Sequence, residues 1–170
     1  MNFSLTNIDD RQISLDNFPK AKGFIIIFTC NHCPYAIAYE GRIQAIQEKY
    51  APLGFPVIAI NSNDPHKYPQ DSFENMKIRA ASKGFNFPYL FDETQEIARM
   101  YRATRTPHVF LLHKVNGGFN LVYQGAIDDN YQNPQAVTET YLTDQVDALI
   151  ANGEVPYRET PPIGCTIKWK

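Results

Sequence analysis

"FIIIFTCNHCPYA", Phe24 to Ala36, carries two of the chain's three cysteines, Cys30 and Cys33, directly behind a run of apolar residues. The run "FIIIF" lacks the alternation of a half-exposed strand, which predicts a central parallel strand covered on both faces. Beyond the cysteines, Tyr39, Ile43, Ile46 and Tyr50 form one apolar stripe and predict a helix from about Pro34 to Tyr50. "PVIAI", Pro56 to Ile60, is a second strand of the same kind, so the stretch opens a βαβ unit with "APLGF" as the turn out of the helix.

Two cysteines with two residues between them at a strand-to-helix junction admit a redox pair, a metal clip or two buried neighbours. A cysteine attacks as its thiolate, so a reactive one at neutral pH needs a lowered pKa. The unpaired N–H groups and positive dipole end of the predicted helix favour an anion at Cys30. Cys33 falls in the first turn, close enough to close a small disulfide ring with Cys30, and Pro34 costs little there because a first-turn N–H has no partner inside the helix. His32 lies within that ring, where its N–H or charge would stabilise the Cys30 thiolate and make the pair more oxidising. A zinc site built from Cys30, Cys33, Cys165 and one of His32, His66, His108 or His113 lacks the second close-spaced ligand pair usual in structural sites. No metal or cofactor is expected.

Outside this unit, "DSFENMKIRAASKG" predicts a second helix, with Asp71 and Ser72 as candidate caps and Gly84 as its end. "FPYLF", Phe87 to Phe91, reads as a short strand, and "TQEIARMY" as a short helix opened by Thr94. "HVFLLHK" and "FNLVYQG" flank "VNGG", whose Asn116, Gly117 and Gly118 offer positive-φ positions for a hairpin. Leu142, Val146, Leu149 and Ile150 predict a last amphipathic helix from about Pro134 to Ala151. The Pro- and Gly-rich end, which holds Cys165, is expected to lie as an ordered tail over the domain.

The chain of 170 residues is expected to form a single domain over residues 1–170, large enough for a real core. Its net charge of -2, with no basic block to follow a phosphate backbone, argues against nucleic acid as partner. No apolar run reaches the roughly 20 residues a bilayer requires, so no membrane partner is expected. Charged residues interrupt the first twenty positions, leaving no apolar export segment, and a cytoplasmic protein is expected. In a reducing cytoplasm, three cysteines point to chemistry or metal rather than a structural staple.

The strand followed by "CNHCPY" at a helix start, the βα units, "RTP" before a strand and hairpin, and the final helix together resemble the thioredoxin-like superfamily. The long segment before "RTP" and the tail "PIGCTIKWK" resemble its redoxin branch, related to alkyl hydroperoxide reductase and thiol-specific antioxidant proteins. The resemblance implies an α/β thioredoxin-like fold: a central mixed β-sheet flanked by helices, with an inserted βα segment and a C-terminal tail. It implies Cys30 as the exposed nucleophile and Cys33 as the buried resolving thiol. It also implies a cis-proline turn at Thr106 and Pro107 that faces the cysteines and pairs with substrate main chain.

Two departures stand out: Thr29 replaces the family's common aromatic residue before the first cysteine, and Ile25 to Ile27 leave no buried acid on the strand. Deprotonation of Cys33 then falls to water, His32 or a residue brought in by the fold.

The function this resemblance implies is thiol–disulfide exchange with protein or small-thiol disulfides, recharged by a separate reductase. One alternative is a thiol peroxidase, whose reactive cysteine passes through sulfenic acid. Related peroxidases carry Thr or Ser three positions before that cysteine, where this chain has Ile27, and add an arginine, for which Arg102 and Arg105 are candidates. The other alternative is a redox-gated binding module. Cys165 is a candidate additional redox thiol if the tail folds back. His108 is a candidate substrate contact, and Tyr35 either shapes the surface near Cys30 or packs the helix. Oligomeric state is left open. A Cys30 deeply buried with no helix start beside it would defeat the exchange mechanism.

Overall fold

In the computed structural model, which describes residues 1–170, the strands are β1 (Ser4–Asn7), β2 (Gln12–Ser14), β3 (Gly23–Thr29), β4 (Val57–Asn61), β5 (Tyr89–Phe91), β6 (Arg105–Thr106), β7 (His108–Val115), β8 (Gly118–Gly125) and β9 (Cys165–Thr166). The helices are α1 (Pro34–Tyr50), α2 (Phe73–Lys83), α3 (Glu96–Tyr101) and α4 (Tyr141–Asn152). Seven strands form one mixed sheet in the order β2-β1-β5-β4-β3-β7-β8, while β6 and β9 pair separately. β3 runs parallel to β4 and antiparallel to β7. The mixed sheet flanked by helices is thus present, with "FIIIF" near its centre.

Because successive strand residues face opposite sides, the apolar run feeds two cores. Ile25 and Ile27 pack with Tyr39, Ile43, Ile46 and Tyr50 of α1, Met76 of α2 and Leu142, Val146 and Leu149 of α4. Phe24, Ile26 and Phe28 pack on the other side with Ala98 and Tyr101 of α3 and with Phe3, Leu15 and Ile167. Each buried side chain of this size contributes about 1.5–3 kcal/mol, so β3 holds both layers together. Gly23 at its start is required by space, since a Cβ there would stand 2.2 Å from the Leu112 carbonyl oxygen. No helix is long and apolar enough to cross a membrane.

Four local expectations are corrected. Only Gly117 of the "NGG" triplet has positive φ, at 82°. The last helix begins at Tyr141, not near Pro134. Asp129 there accepts hydrogen bonds from the Thr138 amide and hydroxyl, and so draws residues 137–140 into a loop. Thr94 does not open α3; Gln95 is its cap residue, and Asp92 accepts from the first-turn amides of Ile97 and Ala98 at 3.3 and 2.9 Å. Ser72 caps α2 by accepting from Asn75 N at 3.2 Å, while Asp71 turns elsewhere. Gly84 ends that helix in the left-handed region, as its position predicts.

Candidate active site

β3 ends at Thr29 and α1 begins at Pro34, leaving Cys30 to Cys33 in the junction with Cys33 as the extended cap residue. A helix therefore starts beside Cys30. The exposed nucleophile implied by the resemblance is not observed: Cys30 is 2% exposed and Cys33 is 1% exposed. Tyr35 and Cys165 cover them from the partly buried shell, and Tyr35 rests on Tyr131 with ring centroids 4.1 Å apart.

The cysteine pairing also differs from the expectation. The disulfide joins Cys33 to Cys165, and Cys30 is the free thiol. The reason is the tail, which folds back: β9 pairs antiparallel with β6 and sets Cys165 opposite Thr106. Thr106 in turn faces the junction. Its hydroxyl lies 3.5 Å from Cys30 Sγ, and its carbonyl oxygen lies 3.6 Å from Cys33 Sγ. The Thr106–Pro107 peptide is cis, as the resemblance implies.

Asp71, which the sequence offers as a helix cap, is the acid that the fold brings in. It is fully buried and reaches the site from a short 3-10 turn ahead of α2. Its carboxylate accepts from Asn31 N at 2.7 Å and from Asn63 Nδ2 at 2.8 Å, and pairs with His32 Nδ1 at 2.6 Å. Asn31 Oδ1 accepts from the Tyr89 hydroxyl at 2.8 Å, and Asn61 Nδ2 donates to the Asp71 carbonyl at 2.8 Å. Asn31, His32 and Asp71 thus form one hydrogen-bonded support beneath Cys30.

This setting reverses the expected electrostatics. Burial pushes the Cys30 thiol above its ordinary pKa and the negative charge of Asp71 adds to that push. The Thr106 hydroxyl and the main-chain N–H groups of Cys33 and His32 pull in the opposite direction, without overcoming it. His32 therefore arrives with an anion as its partner, and its stabilising effect on a Cys30 thiolate is opposed by that anion.

The remaining candidates fall outside the cysteine cluster. His108 points into the core: it is 4% exposed, its Nδ1 accepts from Thr104 N at 3.1 Å, and its ring lies on Phe110. Burial lowers its pKa to about 4. Arg105 is exposed and donates to the Gly164 carbonyl at 3.4 Å, and Arg102 is exposed at the end of α3. Arg79 is committed to Glu40, to which its Nη2 donates at 2.7 Å.

A metal finds little room among these groups. Cys30, His32 and Asp71 each place a ligand atom within 4.8 Å of the others. Both oxygens of Asp71 are already engaged by hydrogen-bond donors, and Cys33 and Cys165 are consumed by their disulfide. None of the three leaves a buried polar atom without a partner, the mark of a missing ion.

Comparison with known proteins agrees with this architecture. The model of the AhpC/TSA family matches residues 1–127. A crystal structure of an uncharacterized conserved protein from Geobacillus kaustophilus is 39% identical, with a TM-score of 0.91, over 100% of this chain and 89% of that one. That of a hypothetical protein from Sinorhizobium meliloti is 32% identical, with a TM-score of 0.90, over 100% of this chain and 92% of that one. An exposed lipoprotein thioredoxin from Streptococcus pneumoniae shares the thioredoxin-like fold at 17% identity, with a TM-score of 0.62, over 77% of this chain and 93% of that one. Among curated proteins no match was found.

Proposed function

The chain belongs to the AhpC/TSA family, and from that premise and the meeting of its three cysteines we propose that it is a thiol–disulfide oxidoreductase. The observation that carries the reading is the cysteine cluster itself: Cys33 and Cys165 are joined, while Cys30 stands free beside them against Thr106.

Cys30 gives up its proton and attacks one sulfur of a disulfide. The departing sulfur leaves with the bonding pair and takes up a proton as the first thiol. Cys33, deprotonated in turn, attacks Cys30 Sγ and releases the second thiol, so the substrate gains two electrons and two protons and the protein holds Cys30–Cys33. Cys165 then attacks Cys33 Sγ and gives its proton to the expelled Cys30, which leaves Cys33–Cys165 and a free Cys30. A dithiol reductant returns two electrons and two protons to that bond. His32, held by Asp71, tunes the pair, and Thr106 with Pro107 forms the turn that faces the incoming sulfur. A cytoplasmic setting belongs to the same reading, because a reducing compartment supplies the dithiol.

A second reading draws on family membership: a thiol peroxidase, in which Cys30 takes one oxygen from a peroxide, releases water or an alcohol, and is resolved as a disulfide with loss of water. The test mixes fully reduced protein in parallel with a small disulfide and with hydrogen peroxide, using Cys30→Ser and Cys33→Ser as controls. Faster oxidation by the disulfide, abolished in Cys30→Ser, is the expected result. Faster consumption of peroxide, with sulfenic acid trapped in Cys33→Ser, would replace exchange with the peroxidase reading.

A further inference from the structure

β6 lies against the reactive sulfurs, and its pairing edge is taken by the chain's own tail. Thr106 of β6 lies beside both Cys30 and Cys33, and it pairs with Cys165 of β9. Ile167 N continues the contact by donating to the Thr104 carbonyl at 3.1 Å. Gly164 comes so close that a Cβ on it would stand 2.2 Å from the Thr106 carbonyl oxygen.

Past β9 the tail is held again. Asp64 N donates to the Lys168 carbonyl at 2.8 Å, Lys168 N to Asn63 Oδ1 at 2.9 Å, and Lys170 N to Gln95 Oε1 at 3.1 Å. Gln95 Nε2 bridges the carbonyls of Ser62 and Lys168 at 2.8 and 3.0 Å, and Ile167 is buried in the core on the α3 side of the sheet. None of these contacts depends on the Cys33–Cys165 bond. Reduction of that bond removes none of these hydrogen bonds directly.

An extended polypeptide presents its disulfide most readily by adding as a strand to an open edge. Here that edge is filled. What opens beside the site instead is a cavity of about 350 Å³, lined by Asn31, His32, Gln70, Asn75, Arg79 and Ser82 and polar except for Ile78. Its size lies in the range of small-molecule sites. His32 lines it and, with a side chain 25% exposed, is the most open member of the Cys30, His32 and Asp71 cluster.

We propose that the tail segment Gly164–Thr166, which includes β9, is a built-in occupant of the substrate edge, and that it restricts the enzyme to low-molecular-weight disulfides approaching from the His32 side. The proposal rests on the exchange reading above and uses the same two-electron steps. It makes the tail, including Gly164, the specificity-determining element of the site.

The experiment follows thiol loss from the fully reduced, full-length protein mixed with oxidised glutathione or with insulin as the polypeptide disulfide. Wild-type protein is expected to react at least about tenfold faster with glutathione disulfide, the rate difference that one tenfold step in barrier produces. Gly164→Val, which drives a side chain into Thr106 while keeping Cys165, is expected to raise the insulin rate about tenfold relative to the glutathione rate and so close the gap between the two probes. Gln95→Met, which removes the far latch at nearly constant volume, is expected to raise the insulin rate relative to the glutathione rate in the same way and serves where Gly164→Val does not fold. Equal rates with both probes in wild-type protein, or variants that leave the ratio of the two rates unchanged, overturn the proposal while the exchange reading stands. Failure of both probes to react with Cys30 overturns the exchange reading itself.

Discussion

His32 Nδ1 and Asp71 Oδ2 lie 2.6 Å apart although 39 positions separate them in the chain, and this contact sets a buried negative charge under Cys30. Asp71→Asn keeps one oxygen to accept from Asn31 N but removes the charge and turns an amide toward other donors. The Cys30 thiol is therefore expected to ionise at lower pH in the variant, seen as a shift of its alkylation profile with iodoacetamide toward acid. The lost charge-assisted hydrogen bonds are expected to cost about 1–3 kcal/mol in stability, read by urea denaturation. An unmoved alkylation profile would remove Asp71 from the electrostatics of the site.

The same relationship has a consequence for stability against pH. The folded state holds the Cys30 proton above the ordinary value of 9.0, so this contribution is complete below about pH 9 and is lost as pH rises through the folded pKa. Asp71→Asn is expected to flatten that alkaline loss, measured on reduced protein.

Cys33 and Cys165 are 132 positions apart, so their bond closes a long loop. Removing it by Cys165→Ser is expected to lower the stability of the oxidised protein by about 5 kcal/mol, through the freedom restored to the unfolded chain. In dithiothreitol the two proteins are expected to unfold at nearly the same urea concentration. Persistence of the full difference under reduction would place the effect in packing around Cys165 instead of in the crosslink.

The part of this fold legible in the sequence is the part with long, strongly patterned elements. The fully buried, largely apolar β3 and β4 and the striped α1 each carry their own signal, and Cys30 and Cys33 fall between β3 and α1 at the predicted junction. The tail pairing carries none, because β6 and β9 are two residues each and have no period to read. The β1–β2 hairpin is also missed: its strands are short and polar, and its turn depends on Asp10 at φ 68°, a residue with no glycine to mark it. Asp71 hides for a different reason. A carboxylate next to Ser72 ahead of a helix looks like a cap, and only the packing of that turn against Asn31, His32 and Asn63 reveals its other use.

His108 shows how a residue beside a candidate substrate turn is recruited to the core. Its Nδ1 accepts from Thr104 N, which requires the neutral ring, and burial lowers its pKa to about 4. The unfolded chain binds this proton near pH 6.5 and the folded protein only near pH 4, so the contribution of His108 is present above about pH 6.5 and is lost as pH falls toward 4. Wild-type protein is expected to lose roughly 3 kcal/mol across that window from this group alone. His108→Asn, whose side-chain oxygen can accept from Thr104 N without titrating, is expected to show a shallower acid dependence by urea denaturation at fixed pH steps. Parallel pH profiles for the two proteins would show that His108 titrates freely.

Arg42 ties α1 to the loop that follows β8. Its Nη1 donates to both Asp128 oxygens, at 3.0 and 2.8 Å, and its Nη2 donates to the Tyr131 carbonyl at 2.7 Å. The Tyr39 hydroxyl donates to the same carboxylate at 2.6 Å. Tyr131, held in this way, is the residue that rests on Tyr35 over the cysteine cluster. Asp128→Asn leaves the largely buried Arg42 without its counter-charge and is expected to cost about 3 kcal/mol, in the range for breaking one side of a buried ion pair. Arg42→Lys keeps the charge but loses the planar fork that serves a carboxylate and a carbonyl together, so it is expected to destabilise the protein as well. If the loop also positions Tyr35, both variants expose Cys30, and its alkylation at fixed pH should quicken in step with the drop in urea midpoint. Loss of stability with unchanged Cys30 alkylation would confine the Arg42 network to the scaffold.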